Sequence, residues 1–172
     1  MVKAYFVAGL AGSGKSYYSR KIAKELDLKM IDFDDNFNEF ITAHKDEYEK
    51  LGSEKFLAIY AKTRYTDLMN RAVTQLQQGV SVVIAAPFSK QIQDQKLWDE
   101  LISPVKRFDP NPTLYWVVIP DELRKKRLIT RGEKRDAEKI KKIDEYISLS
   151  PAKPPVVEHI LVQGDKGIEL AQ

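Results

Sequence analysis

Short apolar segments bounded by turn residues recur along the chain and predict the strands of a sheet. The strongest of them are almost continuously apolar, which is the pattern of strands whose two faces are both covered by helices. The segments are Val2–Ala8, Lys29–Ile31, Ser81–Ala86, Leu114–Ile119 and His159–Val162. The residues expected to lie in the core are Val82, Val83, Ile84, Val117 and Val118.

Longer segments with helical spacing separate the predicted strands. In the first of them, apolar residues recur at Tyr18, Ile22 and Leu26. The series in the middle of the chain consists of Leu57, Ala61, Tyr65, Leu68, Ala72 and Leu76. Because strands that alternate with helices pair in parallel through right-handed crossovers, this pattern predicts a three-layer α/β/α fold with a parallel sheet.

Turn residues predict where several elements begin and end. Gly79 follows the long apolar series, at the position where a left-handed residue is expected to cap a helix. Pro120 and Asp121 are expected to open the helix after the fourth strand and to supply a candidate N-cap. The proline-containing segments Ser103–Pro112 and Ser150–Pro155 are predicted to be loops.

Composition narrows the class of protein. A chain of 172 residues, 43% hydrophobic and 31% charged, is expected to form a single domain over residues 1–172. The absence of cysteine excludes disulfides, thiolate metal sites and a cysteine nucleophile, and it suits a reducing, cytoplasmic location. No segment is apolar over the length that a membrane-spanning helix needs. The net charge of +3 is concentrated between Arg124 and Lys142, which fits either a phosphate-rich ligand or a solvated helix face.

The segment Gly9–Ser16, which we name the phosphate loop, reads GLAGSGKS and matches the pattern G-x-x-x-x-G-K-[ST] between a predicted strand and a predicted helix. Glycines let backbone N–H groups approach a polyphosphate, and the helix N-terminus adds positive charge. We expect Lys15 to reach the β- and γ-phosphates and Ser16 to bind Mg²⁺. The other residues expected to bind the nucleotide are Gly9, Gly12, Ser13 and Gly14. The alternative is a turn that is glycine-rich for steric reasons alone.

Three acids, Asp32, Asp34 and Asp35, follow the second predicted strand. Ligands of open parallel sheets bind beyond the carboxyl ends of the strands, so these acids are expected near the phosphates. A carboxylate there could deprotonate an acceptor hydroxyl or hold Mg²⁺ through water, and we assign Asp32 to the metal. The alternative is that Asp34, Asp35 or Asn36 only caps the next helix.

The helix after the fourth strand carries Arg124, Arg127 and Arg131 at intervals of three and four, which predicts one basic face. Guanidinium groups can each bind two oxygens of a transferring phosphoryl group. Gly132 is expected to end this helix and to release Arg135 on a mobile lid, a region of about residues 124–140. The alternative is an exposed basic helix paired with Asp136 and Glu138.

Together, the phosphate loop, the acidic segment and the arginine helix resemble the P-loop small-molecule kinase superfamily, and within it polynucleotide 5′-hydroxyl kinase domains and zeta-toxin-type or gluconate-kinase-like proteins. The resemblance implies five parallel strands, ATP as the phosphate donor and Mg²⁺ as the metal. By position, the resemblance implies that Asp34 is the catalytic base and that Arg131 stabilises the transition state. It implies that Arg127 is a second lid arginine, which also contacts the nucleotide. It also implies that the adenine base lies near Gln163–Lys166, although guanine stays open.

Two positions depart from the pattern of polynucleotide kinases. Phe37 stands where those kinases carry an arginine that grips a substrate phosphate. Ala85 and Ala86 stand where an acid often ends the third strand. Either Asp32 or Asp34 then contacts the water ligands of the metal in its place, or the protein is a weak catalyst. Candidate acceptor contacts are Phe88, His44 and Arg64.

Three functions remain open at this point. The first is transfer of phosphate from ATP to a hydroxyl of a small metabolite or nucleotide-like acceptor. The second is nucleotide binding or weak ATP hydrolysis without transfer, and the third is phosphorylation of nucleic-acid 5′-hydroxyls. The mild net charge disfavours the third, and aromatic residues such as Phe37, Phe40 and Tyr48 fit a core-facing helix stripe as well as a base-stacking surface.

Overall fold

The computed structural model describes residues 1–133 and 136–165. Within these residues, five strands form one sheet in the order β2-β3-β1-β4-β5, and every neighbouring pair is parallel. The strands are β1 Ala4–Ala8, β2 Lys29–Asp32, β3 Val82–Ala86, β4 Thr113–Val118 and β5 Ile160–Gln163. Each begins and ends within two residues of its predicted bounds, so the predicted parallel α/β fold is confirmed.

Helices connect the strands as predicted. The described helices are α1 Lys15–Glu25, α2 Phe37–Ala43, α3 Lys45–Leu51, α4 Ser53–Gln77, α5 Gln95–Lys106, α6 Asp121–Arg131, α7 Ala137–Lys141 and α8 Ile143–Leu149, with a 3₁₀ turn at Gln91–Gln93. None of the helices in this described part of the chain is long and apolar enough to cross a membrane.

Alternating residues of the central strand face two separate clusters of buried side chains, which makes the domain three-layered. Phe6 of β1 lies in the cluster that packs α4 and α5 against one face of the sheet. Val7 lies in the cluster that packs α1 against the other face, through Tyr18 and Ile22. Both strand residues are fully buried, as expected for strands covered on both sides.

Two glycines confirm predicted helix ends. Gly79, one residue after the C-cap of α4, has φ +80°, and Gly132 caps α6 with φ +56°. Pro120 is the N-cap of α6 and no side chain caps this helix, so Asp121 instead occupies the first helical position. Val118 is half-buried at the edge of the core, whereas Val82, Val83, Ile84 and Val117 are buried as expected.

The predicted loop Ser103–Pro112 is wrong over its first four residues. Helix α5 continues through Pro104 to Lys106. A proline in a helix interior costs about 3 kcal/mol. Burial of Trp98, Ile102 and Val105 on one face of α5 stabilises the helix by about 1.5–3 kcal/mol for each side chain, which outweighs that cost.

Candidate active site

The phosphate loop turns with left-handed glycines and opens directly into α1. Gly12 has φ +82° and Gly14 has φ +96°. The N–H of Ser13 donates to the carbonyl of Leu10 at 3.0 Å, which closes the turn. A Cβ on Gly12 would lie 2.9 Å from Leu128 Cγ of α6. Glycine is therefore required at Gly12 both by the backbone conformation and by the close approach of α6.

A cavity of about 770 Å³ lies between the phosphate loop and α6. The predicted site residues that line it are Gly12, Gly14, Lys15, Ser16, Arg127 and Arg131. Gly164, which lies in the turn where the resemblance places the base, also lines it, as do Tyr17 and Arg20, for which the sequence carries no distinct signal. Two further predicted residues of the loop, Gly9 and Ser13, are not among the residues that line the cavity, and a Cβ on Gly9 would stand 2.4 Å from Ser13 Oγ.

The acidic turn, residues 32–35, contacts the phosphate loop at Ser16. The Ser16 hydroxyl donates to Asp32 Oδ2 at 3.3 Å, so the two residues predicted to hold the metal lie together. Among the described residues, the acids of this turn do not line the cavity itself. Asp34 pairs with Arg64 at 3.5 Å, and Asp35 accepts a hydrogen bond from the N–H of Asp32 at 3.0 Å.

The acids do not act as the cap of α2. Asn36 occupies the N-cap position, and its side chain makes no capping hydrogen bond. The Asn36 side chain donates instead to Asp67 at 3.2 Å. The alternative in which one of these residues only caps the helix is therefore not what the structure shows.

The three arginines of α6 differ in burial: Arg127 and Arg131 line the cavity, whereas Arg124 does not. Arg124 is fully buried, donates to Ser150 Oγ at 2.9 Å and pairs with Asp121 at 3.3 Å. Its Cγ packs against Gly12, so it supports the loop from behind. Arg127 reaches the loop and donates from Nη1 to the Ser13 carbonyl at 3.3 Å.

Arg131 lines the cavity but is held by acids of its own region. It forms an ion pair with Glu133 at 3.5 Å and a short ion pair with Asp136. Asp136 is fully buried and also pairs with Lys139 at 3.2 Å. Burial by itself raises the pKa of Asp136, but the hydrogen bond from Arg131 and the charges of Arg131 and Lys139 outweigh it and hold that pKa below 3.8. Arg135, predicted on the lid, lies outside the described residues, as does the end of the Gln163–Lys166 turn.

Replacement of Asp136 with asparagine is expected to lower the free energy of unfolding by about 1–3 kcal/mol near neutral pH, because Asn cannot supply the charge that Arg131 and Lys139 contact. A carboxyl whose pKa is depressed in the folded state contributes stability above its ordinary pKa and loses it as the pH falls through the lower folded value. The difference between the two proteins in urea unfolding should therefore shrink below pH 3.8. Glu138→Gln, at an exposed acid, is the control and should show little change at either pH. A difference that does not depend on pH would contradict this account.

The candidate acceptor contacts are placed differently from one another. Phe88 is fully buried in the core, and its N–H donates to Tyr65 Oη at 3.0 Å, so its predicted contact with an acceptor is wrong. Burial raises the pKa of Tyr65 to about 12, which keeps that hydroxyl protonated. His44 packs among aromatic rings, 4.6 Å from Phe40 and 4.9 Å from Tyr60 between centroids.

The aromatic residues of α2 and α3 behave as packing residues. Phe40 and Tyr48 pack on the fully buried ring of Phe56, with centroids 5.7 and 5.3 Å apart. Aromatic pairs at such distances stabilise the folded state beyond simple burial. This arrangement favours the core-facing stripe over a base-stacking surface.

Residues 5–147 match the AAA domain family. The chain belongs to the AAA domain family. The fold of this AAA domain resembles those of solved structures over nearly its whole length. It matches a proposed kinase from Chloroflexus aurantiacus with a TM-score of 0.62 and 17% identity, over 94% of this chain and 86% of the other. No curated protein sequence matches it.

Two further matches have the same fold. A sugar kinase from Janibacter sp. aligns with a TM-score of 0.58 and 15% identity over 97% of this chain and 88% of its own. A gluconokinase from Sinorhizobium meliloti aligns with a TM-score of 0.60 and 13% identity over 96% of this chain and 84% of its own. The AAA domain therefore has the fold of P-loop small-molecule kinases, as the sequence resemblance implied.

Replacement of Gly12 with alanine is expected to destabilise the AAA domain by about 2–4 kcal/mol, through a left-handed residue and a clash with α6. Gly79→Ala is the matched control, because Gly79 has nearly the same φ of +80° and nothing within 4 Å of its would-be Cβ. Gly79→Ala should cost only about 1–2 kcal/mol, the left-handed strain alone. Urea unfolding of both variants measures the difference, and equal losses would show that α6 does not press on the loop.

Proposed function

We propose that the chain transfers the γ-phosphate of Mg·ATP to a hydroxyl group of a small metabolite or nucleotide-like acceptor. The observation that carries the proposal is that the phosphate loop, Arg127 and Arg131 line one cavity while Ser16 of the loop is hydrogen-bonded to Asp32. The likeness in fold to a sugar kinase and a gluconokinase supports a small hydroxyl-bearing acceptor.

The residues present suit a magnesium–nucleotide. At Gly14 a side chain would enter the space beside the loop, since a Cβ there would stand 2.9 Å from Arg127 Nη1. Lys15 and the loop N–H groups would hold the phosphates. Ser16 and Asp32 suit Mg²⁺, which takes few protein oxygen ligands and keeps several waters. When bound, Mg·ATP supplies the phosphoryl group and neutralises its charge.

The remaining residues have complementary roles. Asp34 would accept the proton of the acceptor hydroxyl at its carboxylate, and it lies two residues beyond Asp32. Arg127 and Arg131 would stabilise negative charge on the transferred group, for which Arg131 must leave Asp136. We propose that residues 1–172 form one kinase domain with a lid at about residues 124–140. Because the proposed donor is ATP, we propose that the protein acts in the cytoplasm.

One observation favours a second candidate, nucleotide binding without transfer. Strand β3, which pairs with β1, ends at Ala85 and Ala86, and both are fully buried. Many such kinases carry an acid at this position, and this chain has alanine there instead. In both candidates Lys15 is needed for nucleotide binding. In the second candidate, unlike the first, no rate depends on Asp34.

The test is ADP release coupled to a spectroscopic assay, with Mg·ATP and panels of sugars, nucleosides and oligonucleotides. The proposal expects one class of acceptor to increase ADP release and to gain label from γ-labelled ATP. Stimulation by oligonucleotides, with transfer to their 5′-hydroxyls and strong salt dependence, would instead identify a nucleic-acid kinase. ATP binding without stimulation by any acceptor would favour the second candidate.

A further inference from the structure

Two arginines of α4 grip the acidic turn from one side. Arg64 and Arg71 are seven residues apart, which places them on the same face of the helix two turns from each other. Each donates from Nη2 to a backbone carbonyl of the turn: Arg64 to Phe33 at 3.1 Å and Arg71 to Asp32 at 3.2 Å. The two side chains therefore fix neighbouring peptide groups.

Each of the three acids has a different partner. Asp32 accepts the Ser16 hydroxyl, Asp35 pairs with Arg71 at 3.6 Å, and Asp34 pairs with Arg64 at 3.5 Å. Arg71 is fixed in turn by Asp67, at 3.0 Å. Of the two arginines, Arg64 is thus the one that contacts the proposed base.

Arg64 is more deeply buried than the acid that it contacts. Its side chain is 9% exposed, whereas that of Asp34 is 27% exposed. The guanidinium lies 3.9 Å from the ring centroid of Phe33 and 5.2 Å from that of Phe37, so it packs on two aromatic rings. Burial lowers the pKa of Arg64 while the charge of Asp34 opposes that change, and an arginine remains charged under both influences.

We propose that Arg64 is a positioning residue that fixes the carboxylate of Asp34 for its work as the general base. The inference rests on the proposed function. A guanidinium that is bound to the turn backbone and packed on two rings provides a stationary cation, and the Asp34 carboxylate orients against it. Catalytic groups misplaced by about 1 Å can lose about 10²-fold in rate, so this contact has a large effect on transfer. Phe37 then contributes by packing on Arg64, at the position where polynucleotide kinases carry a phosphate-gripping arginine.

The experiment compares Arg64→Met, which keeps the length and apolar packing of the side chain, with Arg64→Lys and with Lys62→Met. Lys62 is an exposed residue of the same helix, so the last variant removes a charge without touching the turn. With Mg·ATP and the best acceptor of the panel, Arg64→Met is expected to lower kcat about 10- to 100-fold while KM for ATP stays within about twofold. Arg64→Lys should recover part of kcat, because it keeps the charge but lacks the two-nitrogen fork. Lys62→Met should match the wild type.

Hydrogen exchange of the amides of residues 32–35 provides a readout that needs no acceptor. In Arg64→Met, with Mg·ATP as the only ligand, these amides should exchange about tenfold faster than in Lys62→Met, since the turn loses the hydrogen bond that Arg64 donates to the Phe33 carbonyl. If these amides exchange in Arg64→Met at the wild-type rate, or if they exchange faster while kcat stays unchanged, the positioning role is overturned. A parallel fall in melting temperature and a rise in KM for ATP would mark Arg64 as merely structural and would also overturn it. A wild-type protein that transfers phosphate to no acceptor overturns the proposed function, and it does so through a different measurement.

Discussion

Replacement of Lys15 with alanine is expected to lower phosphoryl transfer about 10²- to 10³-fold, the loss typical of removing one preorganised charged donor. Lys15 is the first residue of α1, is 9% exposed and lines the cavity beside Arg127. A positive charge held in this partly buried position acts on the phosphates with less screening than a surface lysine. The affinity for Mg·ATP should fall as well, because the same contact holds the ground state. Calorimetry and the ADP-release assay measure the two effects.

Lys24→Ala provides the control for this result. Lys24 lies on the same helix, in its last turn, and is exposed, so the variant removes the same charge away from the cavity. Its binding and transfer should match those of the wild type. Equal losses in both variants would mean that Lys15 acts only through the net charge of the helix, and unchanged ATP affinity in Lys15→Ala would remove the phosphate loop from the proposed site.

Replacement of Asp34 with asparagine is expected to lower kcat about 10²- to 10⁴-fold, which is the range for loss of a general base. Asparagine keeps the size of the side chain but cannot accept a proton from the acceptor hydroxyl. Because Asp34 is not among the residues that line the cavity, the Kd for Mg·ATP should change little. Steady-state kinetics with the best acceptor and calorimetry with Mg·ATP test the two statements separately.

Asp35→Asn is the matched control for Asp34→Asn. Asp35 is the adjacent acid, and an asparagine there retains an oxygen that can accept the Asp32 N–H, so transfer should remain within a few-fold of the wild type. If Asp34→Asn transfers phosphate as fast as the wild type, Asp34 is not the base. If neither protein transfers phosphate, nucleotide binding without transfer becomes the better account.

The strands and the phosphate loop could be predicted because their signals are local. A continuous apolar run such as Val82–Ala86 needs only that both sheet faces be covered, and the bounds follow from adjacent turn residues. The left-handed glycines Gly12 and Gly14 follow from the motif in the same way. Local patterns of this kind do not depend on which distant segment packs against them.

The arginines show where this reasoning stops. Spacing grouped Arg124 with Arg127 and Arg131, but it did not reveal that Arg124 is buried and donates to Ser150, a partner 26 residues away. Arg64 was expected to touch the acceptor, and Arg71 was not singled out at all. Their contacts with the acidic turn span 31 and 39 residues, respectively, and no periodicity within α4 reports on them.

The position of each strand in the sheet divides the molecule into a fixed part and an adaptable part. Strand β1, which carries the phosphate loop, is bonded to β3 on one side and β4 on the other, so a shift of the loop would disturb the middle of the sheet. Strand β2, which carries the acidic turn, is four residues long and lies at the edge of the sheet beside β3. Substitutions around β2 therefore disturb fewer neighbours, so we expect the residues beside the acidic turn to tolerate replacement more readily than those that support the phosphate loop.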